Sequence, residues 1–324
     1  MRTLVTGVAG FVGRHLARGF AKRDLGQLYG ADRLAPEAVQ SEGDLASHLA
    51  GYRRVDVADA AAVREWIAEL GPDRIVHLAA QSSGADSILE PAETYRVNVL
   101  GALHVLEAAR VEAKAATVLL VGSADVYGTS VEGQRIREDA LLRPMNSYAL
   151  SKAAQDALGE LYAASYGLRV VRTRTFSHTG PGQRPRFALA GFADQLARID
   201  AGAIAPELRV GNLDCVRDYG DVRDVVRAYA LLLNCGAAGE TYNICTGKGH
   251  RLRDLLDRLC AIAGVRPRVT VDPDRVRARD ADSLVGDPGK LQAATGWSPD
   301  IPIERTLTDL YRDARERVLR ESEN

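Results

Sequence analysis

The sequence predicts an α/β fold in which a doubly wound parallel sheet carries a smaller C-terminal lobe. Three observations support this prediction. Short apolar runs alternate with helical stretches, a glycine-rich turn joins the first run to the first helix, and the alternation loosens after about residue 175. Near-continuous apolar strands separated by helices are typical of a parallel sheet covered on both faces.

The individual elements follow from local patterns. Strands are predicted at residues 4–6, 28–30, 74–78, 118–121, 168–173 and 241–245, with one more just before residue 56. Helices are predicted after Gly10 and at residues 60–70, 98–112 and 148–166. In the helix after Gly10, helical periodicity places Phe11, Val12, His15 and Leu16 near one face. In the helix at 98–112, Val99, Leu103 and Leu106 are spaced to pack inward.

Composition excludes several classes of function. The 42 Lys and Arg residues nearly balance the 43 Asp and Glu residues, so we expect no general attraction to nucleic acid or to a membrane. No apolar run approaches the roughly 20 residues that span a bilayer, and the N-terminus does not resemble a signal peptide. The four cysteines lack C-x-x-C spacing and the six histidines lack ligand spacing. These patterns predict a cytoplasmic protein with reduced thiols and no metal site.

The turn after the first strand carries three glycines in the spacing G-x-x-G-x-x-G. Gly7 can form the tight turn, Gly10 lets the backbone approach a pyrophosphate, and Gly13 allows close contact between helix and strand. The helix that begins at Phe11 and Val12 offers unpaired amides and a positive dipole end to phosphates. The turn therefore predicts a Rossmann-type site for a nicotinamide dinucleotide.

An acidic residue follows the second strand at the distance that such a site requires. Asp32 lies 19 residues after Gly13, and its carboxylate can accept hydrogen bonds from the adenosine ribose. Arg33 could instead pair with the extra phosphate of NADP, so we expect NAD and leave NADP open. Asp56 and the adjacent Val57 are candidates for the adenine edge, although a solvated turn is nearly as good an interpretation of Asp56.

A tyrosine and a lysine four residues apart suggest the chemistry. Tyr148 and Lys152 would share one face of a helix, where the ammonium favours the phenolate and lowers the pKa of the tyrosine. Such a group can exchange protons near neutral pH. Ser123, at the end of a predicted strand, could hydrogen-bond the same reacting oxygen.

Together these motifs resemble the extended short-chain dehydrogenase/reductases that modify nucleotide sugars. That family shares T-G-x-x-G-F-x-G at the first turn, a Ser or Thr four residues before Tyr-Gly at 123–128, and Y-x-x-x-K. The family's strand end beside the cofactor matches His77-Leu78-Ala79-Ala80, and its buried helix start matches Asn98. The resemblance implies cofactor contacts at Leu78, Ala79, Ala80, Asn98, Tyr148 and Lys152.

The second half is similar to GDP-mannose 4,6-dehydratases, and closer still to GDP-4-keto-6-deoxymannose reductases. The matching segments are 176–183, 211–214, 217–224, 284–288 and Gly296-Trp297. The resemblance implies a GDP-linked sugar substrate, with the following binding residues: Ser177, His178, Arg217 and Arg277, and less strongly Arg186. Bidentate arginines suit its diphosphate. It also implies a homodimer through the helices at 98–112 and 148–166.

Three departures from the family pattern affect the expected reaction. Ser177 replaces an Asn, Ala124 replaces an acid, and Asp125 stands where dehydratases carry Glu. A shorter acid at Asp125 weakens dehydration, which needs a base at C5 and an acid at the C6 hydroxyl. The sequence therefore favours a C4 reductase. A GDP-hexose 4,6-dehydratase or 4-epimerase that recycles NAD stays open, as does a non-catalytic nucleotide-binding sensor.

The same reasoning divides the chain. Residues 1–175 are expected to form the NAD(P)-binding Rossmann domain, to which residues 218–246 return because 241–245 is predicted as one more strand. Residues 176–217 and 247–324 are expected to form the sugar-nucleotide-binding lobe.

Overall fold

The computed structural model describes residues 1–23, 25–40, 43–130, 133–276 and 281–322. A parallel sheet of seven strands forms its centre, in the order β10-β6-β5-β4-β1-β2-β3. These strands are β1 (Arg2–Thr6), β2 (Gln27–Asp32), β3 (Gly51–Arg54), β4 (Arg74–His77), β5 (Thr117–Ser123), β6 (Arg169–Thr175) and β10 (Thr241–Ile244). The predicted doubly wound parallel sheet is confirmed, and residues 241–244 pair with β6 as its edge strand.

Twelve helices are described around this sheet and beside it. They are α1 (Phe11–Arg23), α2 (Pro36–Gln40), α3 (Ala60–Leu70), α4 (Gly84–Leu89), α5 (Pro91–Tyr95), α6 (Gly101–Glu112), α7 (Ser147–Tyr166), α8 (Ala188–Asp200), α9 (Val222–Cys235), α10 (Leu252–Ala263), α11 (Gly289–Thr295) and α12 (Ile303–Ser322). A π-helical turn covers Arg96–Leu100, and 3-10 turns cover Ala46–His48, Ala124–Tyr127 and Pro273–Arg275.

Alternating residues of each central strand bury into opposite faces of the sheet. In β1, Leu4 packs with α3 and α6, whereas Val5 packs with α1 and α9. Because side chains alternate along a strand, a strand that is covered on both faces must be apolar throughout. This requirement explains the near-continuous apolar runs in the sequence.

The face of α1 that carries Phe11, Val12, His15 and Leu16 is only partly buried. The buried residues of this helix are Gly13, Leu16, Ala17 and Phe20, so Leu16 is the one member of the four among them. Phe11 and His15 are half-buried because they meet the segment that follows β6: the Phe11 ring stacks on His178, and His15 Nε2 lies 2.8 Å from the carbonyl oxygen of Pro181.

The helix predicted at 98–112 begins with the π-helical turn and continues as α6. Leu106 is fully buried as expected, and half-buried Leu103 packs against the same core. Val99 is half-buried, and the fully buried inner face is formed by Ala102, Val105, Leu106 and Ala109. A π-helical turn contains one more residue than an α-helical turn. An α-helical period of 3.6 residues therefore does not predict correctly which way a residue within Arg96–Leu100, such as Val99, faces.

The remaining strands and helices build a second core outside the central sheet. The strands are β7 (Ser177–Thr179), β8 (Glu207–Val210), β9 (Val216–Asp221), β11 (Gly249–Arg251), β12 (Arg268–Val271) and β13 (Ser283–Leu284). β9 pairs with β7, β11 and β13, while β8 pairs with β12. Apolar side chains of α8, α10 and α12 pack together against β8.

None of the helices in the described ranges combines the length and apolar character that crossing a membrane requires. The same ranges contain no group of three His, Cys, Asp or Glu side chains that could hold a metal ion.

Candidate active site

The carboxyl ends of β1, β4 and β5 meet at one edge of the central sheet. β1 and β4 are adjacent although β2 and β3 separate them in sequence, so the strand order reverses between them. Open α/β sheets bind ligands in the crevice at such a reversal. The predicted glycine turn follows β1, the segment at 78–81 follows β4, and Ser123 is the last residue of β5.

The glycine turn has no room for side chains at two positions. Gly7 has φ +73°, and a Cβ there would lie 2.7 Å from the Ala79 amide nitrogen. A Cβ on Gly13 would lie 2.4 Å from the carbonyl oxygen of Val8, so only glycine lets the first turn of α1 pack this closely on the turn that precedes it. Gly10 is exposed at the start of α1, whose first turn contains no acidic residue. The uncompensated positive helix end fits a pyrophosphate.

Asp32 is the last residue of β2 and holds the glycine turn. Its Oδ2 accepts a hydrogen bond from the Ala9 amide at 3.1 Å, and its Oδ1 accepts one from the Leu34 amide at 3.4 Å. Each carboxylate oxygen has a second lone pair that a ribose hydroxyl can use. Arg33 is exposed directly beside it. The structure therefore places the acidic and the basic group side by side at the carboxyl end of β2.

Asp56 and Val57 follow β3. Asp56 Oδ2 accepts from both terminal nitrogens of Arg96 at 3.1 Å, and Oδ1 accepts from the Ala58 amide at 3.0 Å. Partial burial opposes ionisation, yet the Ala58 amide and the Arg96 guanidinium hold the pKa of Asp56 below its usual value. Val57 is buried, and its carbonyl lies 3.0 Å from His104 Nδ1. Asp56 thus lies in a partly exposed turn and forms an ion pair with Arg96, and its contact with the adenine edge stays a prediction.

Asn98 is fully buried and braces the segment after β4. Its Oδ1 accepts from the Gln81 amide at 2.8 Å, and its Nδ2 donates to the Gln81 carbonyl at 3.0 Å and to Ser151 Oγ at 2.9 Å. The Ala79 amide donates to Thr6 Oγ1 at 3.4 Å. Both hydrogens of the Asn98 side-chain amide and one lone pair of its oxygen are used by the protein, so this residue holds the end of the segment at Gln81.

The tyrosine and the lysine lie near the start of α7. Asn146 caps this helix by accepting a hydrogen bond from the Ala149 amide at 2.8 Å. Tyr148 is half-buried, and its amide donates to Ser87 Oγ at 3.2 Å. Lys152 is buried, and its Nζ donates to the Val121 carbonyl at 3.0 Å and to Gln155 Oε1 at 2.8 Å. Burial lowers the pKa of Lys152 to about 7.

Ser123 and Asp125 lie where β5 passes into a 3-10 turn. Ser123 Oγ accepts a hydrogen bond from the Asp125 amide at 3.2 Å, which caps the turn. This bond uses the hydroxyl oxygen as an acceptor, so the proton can be donated to a ligand. Asp125 is half-buried and Ala124 is buried. The turn after Ser123 therefore carries one acidic residue, Asp125. The position before it, which would hold the second acid of a dehydratase with paired carboxylates, is Ala124.

The segment after β6 packs against the first turn of α1. The rings of Phe11 and His178 are stacked at 6.2 Å between centroids, with planes 6° apart. Burial lowers the pKa of His178, while its Nδ1 lies 3.0 Å from the Phe176 carbonyl. Ser177 is half-buried next to it. This packing joins the predicted cofactor turn to the predicted substrate segment.

The three arginines expected to bind substrate have different surroundings. Arg217 lies in β9, is 9% exposed, and donates to the Val216 carbonyl at 2.9 Å. Arg186 is largely exposed and forms an ion pair with Asp86 at 3.0 Å. Arg277 lies outside the described residues.

Two residues at this edge escaped the sequence analysis. Gln81 directly follows the strand-end segment, and its Nε2 is buried without a hydrogen-bond partner in the described part of the chain. Gln81 could have been predicted as a site residue, because it lies shortly after the end of a buried strand. Gln155 is buried against Lys152. It is one helical turn beyond the tyrosine–lysine pair, and no local pattern distinguishes it from an ordinary helix residue.

Comparison with known proteins decides the family. The sequence profile of the family described as GDP-mannose 4,6 dehydratase matches residues 4–310. The chain belongs to this family. It is 36% identical over 321 residues to the GDP-6-deoxy-D-mannose reductase of Pseudomonas aeruginosa, and the match covers 99% of both chains.

Solved structures of two similar proteins contain nicotinamide cofactors. RMD from Pseudomonas aeruginosa, complexed with NADPH, is 34% identical with a TM-score of 0.83, covering 98% of this chain and 99% of that one. UDP-glucose 4-epimerase from Thermus thermophilus, complexed with NAD, is 33% identical with a TM-score of 0.86, covering 97% and 99%. This member of the GDP-mannose 4,6-dehydratase family is therefore an NAD(P)-dependent extended short-chain dehydrogenase/reductase.

Proposed function

We propose that this protein is a reductase of GDP-4-keto-6-deoxymannose that acts on the C4 carbonyl. The observation that carries the proposal is the full-length similarity to GDP-6-deoxy-D-mannose reductase, together with Tyr148, Lys152 and Ser123 at one edge of the sheet. When bound, the reduced nicotinamide supplies a hydride to the substrate carbonyl.

The side chains divide the remaining work. The Ser123 hydroxyl donates a hydrogen bond to the C4 oxygen, and the Tyr148 hydroxyl gives its proton to that oxygen. The charge of Lys152 stabilises the phenolate that remains, because an ammonium in a buried site acts through a low dielectric. Arg217 holds the diphosphate of the sugar nucleotide, with Ser177 and His178 nearby and Arg186 in a weaker, outer role.

The cofactor preference depends on Asp32 and Arg33. We propose NAD as the preferred dinucleotide because Asp32 lies at the end of β2 with lone pairs open to the ribose hydroxyls. The exposed Arg33 supports some binding of NADP.

A 4,6-dehydratase is the second candidate. Asp125 keeps it open, since this half-buried acidic residue follows Ser123 closely in sequence, although its side chain is shorter than the Glu of dehydratases. Buried Ala124 weighs against it, because the neighbouring position supplies no second acid.

We also propose that the protein is a homodimer. Large apolar side chains are exposed along the two helices that would pair: Leu100, Val111, Leu150, Leu161 and Tyr166. Burial of such a surface between two copies would stabilise the dimer. Light scattering on the purified protein tests this proposal, and a monomer at micromolar concentration would refute it.

Two further proposals concern organisation and location. The second core supports the division into a Rossmann domain at 1–175 with 218–246, and a substrate lobe at 176–217 and 247–324. Four unpaired cysteine thiols support residence in the reducing cytoplasm.

The test of the reaction is direct. Purified protein is mixed with GDP-4-keto-6-deoxymannose and NADH or NADPH, and the absorbance of the reduced cofactor is followed. We expect rapid consumption that stops in Tyr148→Phe. Conversion of GDP-mannose without added cofactor, and no consumption of NADH or NADPH, would identify the dehydratase.

A further inference from the structure

Gln155 closes a triangle of hydrogen bonds around Lys152. Its Oε1 accepts from Lys152 Nζ at 2.8 Å, and its Nε2 donates to the Val121 carbonyl at 2.9 Å. Lys152 Nζ donates to the same carbonyl at 3.0 Å. Gln155 is 1% exposed and Lys152 is 4% exposed, so no water replaces these bonds at low cost.

We propose that Gln155 is a positioning residue that holds the Lys152 ammonium at the end of β5 without neutralising its charge. The proposal rests on the proposed role of Lys152. Val121 lies two residues before Ser123 on the same strand, so the triangle ties the lysine to the strand that carries the serine. The side chain of Lys152 is long and flexible, and two fixed acceptors select one of its rotamers.

Neither of the two groups that accept hydrogen bonds from the Lys152 ammonium is charged. An amide oxygen and a peptide carbonyl accept hydrogen bonds but carry no net charge. The adjacent carboxylate is directed elsewhere: Asp156 Oδ2 accepts from Arg172 at 3.0 Å and from Arg174 at 2.9 Å. The charge of Lys152 is therefore available to act on Tyr148. A carboxylate at position 155 would cancel it.

Other titratable groups surround this site. The charge of Lys152 acts on His77 of β4, and Tyr229 of α9 interacts electrostatically with Tyr148 of α7. Burial, followed by the charge of Lys152, lowers the pKa of His77 to about 3, so His77 stays neutral across the range tested below. Burial raises the pKa of Tyr229 well above its ordinary value, so Tyr229 also stays neutral.

Two substitutions of Gln155 should shift the pKa of Lys152 in opposite directions. Gln155→Glu keeps the shape and adds a partner that favours the protonated amine, so the pKa of Lys152 rises. Gln155→Met removes an acceptor of the protonated amine, so this pKa falls. Gln195→Glu is the matched control, because Gln195 also forms side-chain to backbone hydrogen bonds, with Gly191 and Arg209, but lies in α8.

Kinetics provide the first readout. The pH above which kcat/KM declines should move up by about one unit in Gln155→Glu and down in Gln155→Met. Because Gln155→Met also frees the lysine, we expect its kcat to fall about 10²-fold. KM for the sugar nucleotide should stay within about threefold, as this residue is not placed at the substrate.

Unfolding without substrate or cofactor provides a second readout. A lysine with a folded pKa near 7 and an ordinary unfolded value of 10.5 binds its proton more tightly in the unfolded chain between those limits. Stability from this group therefore increases as pH rises through that window. Relative to Lys152→Met, the wild-type Tm should rise above pH 7. The rise should begin at higher pH in Gln155→Glu and at lower pH in Gln155→Met.

The outcomes separate the two proposals. Unchanged pH profiles and unfolding curves in both Gln155 variants, with turnover lost in Lys152→Met, would overturn the positioning role and leave the reductase intact. An absence of turnover in the wild type would defeat the reductase, and the unfolding curves alone would then decide on Gln155. If Gln155→Glu does not fold, the test rests on Gln155→Met, whose pH profile and unfolding curve should both shift to lower pH. A comparable shift in Gln195→Glu would also contradict the proposal.

Discussion

The side-chain nitrogen Nδ2 of Asn98 lies 2.9 Å from the hydroxyl oxygen of Ser151 and donates to it. Ser151 in turn donates to the Tyr148 carbonyl at 2.7 Å. Asn98 also holds both backbone groups of Gln81. A single buried amide thus connects the segment after β4 to the first turn of α7.

Loss of this amide should destabilise the fold. Asn98→Ala leaves the Gln81 amide, the Gln81 carbonyl and Ser151 Oγ without their partner, so we expect the free energy of unfolding to fall by about 2–4 kcal/mol. Urea unfolding measures the change. The exposed Asn212, replaced by Ala, is the control, with an expected change below about 1 kcal/mol. Equal effects of the two changes would refute the bracing role.

Removal of the tyrosine hydroxyl should affect turnover alone. Tyr148→Phe deletes the proposed proton donor, and we expect kcat to fall by about 10²–10⁴-fold. NADH affinity, measured by fluorescence titration, should change by less than about threefold. Tyr166→Phe, at the far end of α7, should leave kcat unchanged. Full activity in Tyr148→Phe would contradict the role of Tyr148 as the proton donor.

Asp32 should set the choice of dinucleotide. Asp32→Ala removes the ribose acceptor and the bond to the Ala9 amide, so NADH affinity should weaken by about tenfold or more. NADPH affinity should weaken less, because the negative charge that repels its phosphate is also removed. Arg33→Ala is the complementary variant, and it should weaken NADPH selectively. Tighter binding of NADPH than NADH by the wild type would contradict the proposed preference.

The two described arginines should differ in their effect on the sugar nucleotide. Arg217→Ala should raise KM by about 10–100-fold, since hydrogen bonds to a charged group are strong. Arg186→Ala should change KM by less than about threefold, because its exposed ion pair with Asp86 is weak. The measurement is initial velocity against substrate concentration. A larger effect on KM in Arg186→Ala than in Arg217→Ala would indicate that the diphosphate binds at the loop before α8 and would contradict the role proposed for Arg217.

Local patterns predicted most of the sheet. The strands at 4–6, 74–78 and 118–121 are apolar because both of their faces are covered, and the structure confirms them as β1, β4 and β5. The helix at 60–70 is also confirmed, because Asp59 caps it and Gly71 ends it in a left-handed conformation.

Features that depend on tertiary contacts were not predictable. Nothing in the local spacing indicated the π-helical turn at Arg96–Leu100. Gln155 meets Val121 only because α7 packs on β5, which brings together residues 34 positions apart. The ion pair of Arg186 with Asp86 joins residues 100 positions apart. A sequence pattern shows which residues share a face of one helix or strand, whereas these contacts join residues from two different segments of the chain.

The measurement that tests the central proposal most directly follows a hydrogen isotope. GDP-4-keto-6-deoxymannose is incubated with the protein and NADH that carries deuterium on the transferred position of the nicotinamide, and the product is analysed by NMR. The proposed reductase places one deuterium at C4 and consumes one equivalent of cofactor. A product without deuterium at C4, or no product at all while GDP-mannose is converted without added cofactor, would contradict it.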